Sequence, residues 1–295
     1  MRVFVTGASG FVGSAVVNEL LSSGINVLGL VRSESAAEAL RKSGAEACLG
    51  DVNNIDTISK CAAQCDAVIH TAFNHDFSQF KASCEADRIV IEAFGDALSG
   101  TDKPLVITSG IGLLRYDRVV NEDDVLTVTS DIVPRAATEE ATAVAASKGV
   151  NTYIVRLPPT VHGAGEHGFV PIIIGMAKEN GLSAYIGNGQ NRWPAVHRFD
   201  AAKVYSLIVQ KCPSQKVFHA VAEEGIPFIN IAKTIGEGLQ LATTSLTSEE
   251  AEKHFSWFMH FASFDCPSSS KKTQEILGWK PEHIDLLKDM ETNYF

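Results

Sequence analysis

The chain has 295 residues, 45% of them hydrophobic, and a formal net charge of −10. That length supports a large buried core, as one big domain or two smaller ones, and the acidic balance argues against nucleic acid or an anionic membrane as a partner. No apolar run reaches the length of a membrane span, and the chain starts on a strand and a glycine turn instead of a signal peptide, so a cytoplasmic protein is expected.

In chain order, strand-like runs at Val3–Thr6, Val27–Val31, Ala47–Leu49, Ala67–His70, Leu105–Thr108 and Tyr153–Arg156 alternate with amphipathic stretches. Those stretches are Ser14–Ser22, Ala36–Lys42, Ile55–Ala62, Ala86–Leu98 and Thr138–Lys148. Such alternation with short connections calls for an α/β fold, a Rossmann-type doubly wound parallel sheet with helices on both faces. After Gly163 the rhythm loosens into a loop to Gly168, a helix near Val170–Lys178, a Gly/Asn turn at Gly187–Asn191 and a C-terminal region ending in Leu277–Pro281. The division expected is a dinucleotide-binding domain over 1–163 and a small, interwoven substrate lobe mostly over 164–295. Six cysteines are scattered without a C-x-x-C, which reads as reduced, buried thiols; the histidines lack metal-ligand spacing, and no metal is expected.

The glycines at 7, 10 and 13 follow a strand and open a helix. In a dinucleotide fold such glycines permit the tight turn, the close approach of backbone to pyrophosphate, and the packing of helix on strand. Ligands of these sheets lie beyond the carboxyl ends of the strands. The cofactor candidates are therefore Gly7, Ser9, Gly10, Phe11 and Val12 after the first strand, Arg32 and Ser33 after the second, and Asp51 and Val52 after the third. Thr71, Ala72 and Phe73 come after the fourth, and Pro158, Thr160 and Val161 after the sixth. NAD sites place an acid after the second strand, whereas an arginine accommodates a 2′-phosphate; Arg32 with Ser33 makes NADP(H) the expected cofactor. Asp51 is placed to accept from the adenine amino group.

Six segments, Thr6–Gly13, Gly50–Val52, Val68–Ala72, Val155–Gly163, Trp193–Asp200 and Leu277–Pro281, resemble the extended or atypical short-chain dehydrogenase/reductases, a group that includes epimerase/dehydratase-like proteins. The resemblance spans nearly the whole chain and comes nearest to the NADPH-dependent aldehyde reductases of yeast. It implies the same fold, a nicotinamide cofactor, and reduction of a small carbonyl substrate.

The catalytic Tyr-x-x-x-Lys of that family is missing, since no tyrosine is followed four residues later by lysine. The pair should fall near Asp131 and Arg135. Asp131 cannot replace the tyrosine as proton donor. Arg135 supplies fixed charge and a hydrogen bond to a ribose hydroxyl, but it is too basic to relay a proton. Thr108 and Ser109 end the fifth strand, where the family keeps its catalytic hydroxyl, so Ser109 is expected to polarise the substrate carbonyl. Tyr116, His162 and His197 are read as structural before catalytic. Three functions stand open: an NADPH-dependent reductase of aldehydes or ketones, a sugar-nucleotide epimerase or dehydratase, and a non-catalytic NADP sensor.

Overall fold

A computed structural model describes all residues 1–295. The first half alternates strand and helix: β1 (Arg2–Thr6), α1 (Phe11–Ser22), β2 (Asn26–Val31), α2 (Glu34–Lys42), β3 (Glu46–Leu49), α3 (Ile55–Ala63), β4 (Ala67–His70), α4 (Phe80–Leu98), β5 (Pro104–Gly110), α5 (Ala137–Ser147) and β6 (Asn151–Leu157). The second half carries β7 (Thr160–His162), α6 (Phe169–Asn180), β8 (Ser183–Ile186), β9 (Arg192–His197), α7 (Arg198–Lys211), β10 (Val217–His219), β11 (Glu223–Pro227), α8 (Phe228–Leu239), β12 (Thr243–Leu246) and α9 (Ser248–Phe255). The short helices α10 (Met259–Ala262), α11 (Lys271–Leu277) and α12 (Leu286–Asn293) complete it.

Seven strands form one parallel sheet in the order β10-β6-β5-β4-β1-β2-β3. Its central strands are buried on both faces, which is why Val3–Val5 of β1 and Ala67–Ile69 of β4 read as unbroken apolar runs. On one face Val3, Val5 and Val155 pack with Leu20, Tyr205 and Trp279 under α1, α2 and α7. On the other, Phe4, Val68 and Ile107 pack with Ile58, Phe94 and Ala141 under α3, α4 and α5. A third apolar core, built around Trp193, Phe228 and Phe258, belongs to the lobe. The lobe holds two small sheets, β11-β9-β7 and β12-β8.

The chain beyond Gly163 returns to the first domain twice. Helix α7 lies against α1, and β10 extends the main sheet beside β6. Trp279 is sunk beside α7, its indole N–H donating to the carbonyl of Asp200 at 3.0 Å. Two helix starts differ from the pattern in the sequence. Helix α1 begins at Phe11, directly on the glycine turn, and α4 begins at Phe80 because a turn capped by the Asp76 carboxylate, which accepts from the Ser78 N–H at 3.0 Å, leads the chain into it. No helix is long and apolar enough to cross a membrane.

Candidate functional site

β1 and β4 are neighbours in the sheet although other strands and helices separate them in sequence, so the chain departs in opposite directions from their carboxyl ends and opens a crevice. Gly7 sits at that point with φ +67°. A side chain there would meet the Ala72 N at 2.9 Å, and one at Gly13 would meet the Gly7 carbonyl oxygen at 2.0 Å. The backbone is thus closed on itself into a cradle that only glycine permits. Helix α1 starts on it with neither a side-chain cap nor an acid in its first turn. Its unpaired N–H groups and positive dipole end suit a pyrophosphate. Above the turn, the Arg198 guanidinium lies 4.8 Å over the Phe11 ring, and its buried Nε has no partner. The cradle and the unpaired arginine fit a dinucleotide diphosphate.

The remaining cofactor candidates follow the carboxyl ends of the strands. Ser9 is exposed at the tip of the turn, with Phe11 and Val12 half-buried behind it. Arg32 is exposed at the end of β2, and Ser33 caps α2 by accepting from the Ala36 N–H at 3.2 Å. Glu34, the one acid close enough to compete for a ribose, is drawn back along α2 onto Arg41 at 2.7 Å. Asp51 accepts from the N–H and the side-chain amide of Asn53, both at 2.8 Å, through a single oxygen, while Val52 packs on the core. Thr71 donates to the Thr6 carbonyl at 2.7 Å, and the Ala72 N–H reaches the Thr6 hydroxyl at 3.3 Å. Pro158 is buried, Val161 half-buried, and Thr160 is fixed by donating to the Pro194 carbonyl at 2.6 Å.

The two hydroxyls at the end of β5 are not free for a substrate, which corrects the expectation for Ser109. Its Oγ is buried and donates to Glu139 at 2.6 Å. Glu139 in turn accepts from Arg156 at 2.9 and 2.8 Å, and Arg156 also donates to the Asp124 carbonyl at 2.7 Å. Alternation along β5 turns Ser109 toward α5, whereas Thr108 faces α7, where it donates to the His70 carbonyl at 2.8 Å and meets the Tyr205 hydroxyl at 2.9 Å. Tyr116 is likewise spent, donating to the Val125 carbonyl at 3.0 Å.

Arg135 is different. It lies in the turn that leads into α5, its side chain 18% exposed, over the Phe73 ring at 4.0 Å. One nitrogen donates to Asp87 at 2.6 Å and to Thr138, and another to the Thr108 carbonyl at 3.2 Å. Of five N–H groups this leaves Nε and one more for a ligand. Asp87 also accepts from Thr138 at 2.5 Å and bonds His70 at 2.9 Å, and His70 meets Thr6 at 2.7 Å. Burial opposes the charge on Asp87, yet Arg135 and His70 hold its carboxyl far below the usual carboxylate range. A continuous polar chain thus ties the glycine turn to Arg135. Asp131, the other half of the expected pair, is exposed on the preceding turn. The Asp87–His70 and Glu139–Arg156 pairs were missed from the sequence; the available signal was a charged or polar side chain inside an otherwise apolar strand, as at His70 and Arg156.

A second polar cluster joins the lobe to the C-terminus. His162 bonds Asp289 at 2.8 Å, and Tyr294 donates to Glu166 while accepting from the Gly163 N–H at 3.2 Å. Burial lifts the Glu166 carboxyl from 4.5 to about 7, against the opposite pull of the Tyr294 hydroxyl and the Val170 N–H. Between those values the folded protein retains a proton that the unfolded chain has released, so stability falls as the pH rises through this window and is flat above it. Glu166→Gln is expected to flatten that fall and to raise the melting temperature on the alkaline side. Thermal melts on both sides of the window check this, and an unchanged slope would contradict it.

Residues 7–172 match the family described as NAD(P)H-binding. The chain is 48% identical to an uncharacterized protein of Schizosaccharomyces pombe over 100% of both chains, and 44% identical to one of Saccharomyces cerevisiae over 100% of this chain and 99% of that one. It is 26% identical to a 4-hydroxy-2-methyl-3-oxo-4-farnesyl-3,4-dihydroquinoline-1-oxide ketoreductase of Stigmatella aurantiaca, over 74% of this chain and 67% of the other. In fold it is similar to dTDP-glucose 4,6-dehydratase DesIV of Streptomyces venezuelae with NAD bound, at a TM-score of 0.78 and 15% identity, covering 99% of this chain and 95% of that one. With the glycine cradle, the parallel sheet and these matches together, the chain belongs to the NAD(P)H-binding family, on a Rossmann-type α/β fold.

Proposed function

We propose that this protein is an NADPH-dependent reductase of aldehydes or ketones in which Arg135 takes over the electrostatic work of the missing Tyr-x-x-x-Lys pair. The observation that carries this reading is Arg135 itself, a partly exposed guanidinium fixed by Asp87, Thr138 and the Thr108 carbonyl at the carboxyl end of β5. NADPH, when bound, supplies a hydride. As the carbon–hydrogen bond forms and the carbonyl π bond breaks, negative charge grows on the oxygen, and a fixed cation with unspent N–H groups stabilises it. Arginine stays protonated, so the alkoxide takes its proton from water.

One observation favours reduction over sugar-nucleotide chemistry, the relatedness in sequence to a ketoreductase. The yeast aldehyde reductases that the sequence resembles fit this reading, with a small carbonyl compound as partner and the cytoplasm as location. Reduced-nicotinamide absorbance, followed against aldehydes and ketones, and chromatography of nucleotide sugars incubated with the protein test it. Loss of absorbance with carbonyls alone is expected, and turnover of a nucleotide sugar would overturn it.

The preference for NADPH rests on Arg32, unpaired beside the α2 N-terminus while Glu34 is turned away onto Arg41. A charge-assisted hydrogen bond contributes about 1.5–3 kcal/mol, so Arg32→Ala should weaken NADPH roughly ten- to a hundredfold and leave NADH nearly unchanged. Fluorescence titration with both cofactors checks this. Equal losses would mean that Arg32 does not meet the phosphate.

A further inference from the structure

The chain leaving β4 at the crevice does not turn straight into α4. It runs outward through Phe73, His75 and Phe77 before Phe80 starts the helix. Phe73 is the ring under Arg135. Four residues on, Phe77 has crossed to the lobe, where it stacks on Trp257 at 5.1 Å and 30°, with Phe80 at 5.6 Å and 24° and Phe261 at 5.6 Å among its other neighbours. Phe169, at the start of α6, closes the row against Phe261 at 4.8 Å. One strap of chain therefore links the candidate catalytic cation to an aromatic wall of the lobe.

The composition of that wall is selective. Trp257 stays 50% exposed, although an indole is among the costliest side chains to leave in water. On this side Arg192 is paired with Asp265, and Arg115 lies face-on over Phe264 at 4.7 Å. The wall is otherwise flat π surface, with the Arg135 guanidinium at the other end of the strap.

Building on the reductase reading, we infer that the substrate is an aryl carbonyl compound, its carbonyl oxygen on Arg135 and its ring held by Phe77 and Trp257. Offset or edge-on ring pairs add roughly two- to tenfold in affinity each beyond the area they bury. A saturated ring of the same size covers the wall but forfeits that gain. Phe77 is the residue that sets the preference, because it joins the strap to the lobe wall.

Trp257 provides a direct readout, since the other two tryptophans, Trp193 and Trp279, are 0% and 1% exposed. The full-length protein saturated with NADP+, which cannot reduce a carbonyl, is titrated with benzaldehyde and with cyclohexanecarbaldehyde while tryptophan fluorescence is followed. The aryl compound is expected to quench and to bind about tenfold more tightly. Phe77→Leu should bring the two affinities close to parity, and Trp257→Leu, at an exposed position, should remove the quench. Equal binding of the two aldehydes by the unaltered protein, or an unchanged ratio in Phe77→Leu, would overturn the inference. Tight aryl binding with no NADPH oxidation would support the substrate class and overturn the reductase reading instead. Oxidation of NADPH with no aryl preference would do the reverse.

Discussion

Gly13→Ala is expected to abolish dinucleotide binding. The added methyl carbon would lie 2.0 Å from the Gly7 carbonyl oxygen, 2.7 Å from its carbon and 2.8 Å from the Thr71 hydroxyl. Two of these three neighbours are backbone and cannot swing aside. Helix α1 would have to lift off the turn, carrying its N-terminal N–H groups away from the phosphates. Overpacking of this kind costs about 1–3 kcal/mol in stability, and loss of several phosphate hydrogen bonds lowers NADPH affinity by roughly a hundredfold or more. Gly175→Ala in α6 is the control: a methyl there meets nothing within 4 Å, so it should leave binding unchanged and, in a helix interior, add up to about 1 kcal/mol of stability. Thermal melts and cofactor titration of the two variants check this, and normal NADPH affinity in Gly13→Ala would contradict the placement of the cradle.

Arg156→Leu is expected to have the largest effect on stability. Arg156 and Glu139 are 2% and 9% exposed and bonded through two nitrogens. Removing one partner leaves a buried carboxylate without its counter-charge, which costs about 3–5 kcal/mol and lowers the melting temperature by on the order of 10 °C. The double variant Arg156→Leu with Glu139→Leu should lose less, because no charge is stranded. Ser109→Ala removes a lesser donor to the same carboxylate and should cost about 1–3 kcal/mol with turnover altered only a few-fold. A hydroxyl that polarised the substrate would instead cost about 2.7–4 kcal/mol in the transition state, so a hundredfold loss of turnover in a fully folded Ser109→Ala would return that residue to the reaction.

The main sheet was legible because its signals are local. Gly7, Gly10 and Gly13 come directly after a strand, and the short apolar runs match β1 to β6 to within a few residues at each end. The lobe was not legible: β7, β9 and β11 pair across long intervening stretches, and β10 returns to a sheet begun at the start of the chain. That Arg32 and Asp51 follow β2 and β3 could be read from the sequence, and in a parallel sheet of this kind the segment just past each strand faces the crevice. The direction of a side chain could not. Ser109 and Thr108 are adjacent in sequence, yet pleating sends them to opposite faces of β5, each into a hydrogen-bonded pair whose partner, Glu139 or Tyr205, lies on a different helix. The position of Arg135 ahead of α5 was reached by counting back along a helix, but the chain through Asp87 and His70 to Thr6 that fixes it appears only once four elements are assembled.

On the proposed function, hydride passes from the nicotinamide to a carbonyl carbon in a site whose charge is supplied by Arg135. NADPH carrying deuterium at the transferable position, offered with an aryl aldehyde to the unaltered protein and to Arg135→Met, measures this directly by mass spectrometry of the alcohol. One deuterium on the carbinol carbon is expected with the unaltered protein, at a rate that falls by roughly a hundredfold in Arg135→Met while the variant still binds NADPH. Tight NADPH binding with no deuterium transferred to any carbonyl compound, or equal rates for the two proteins, would contradict it.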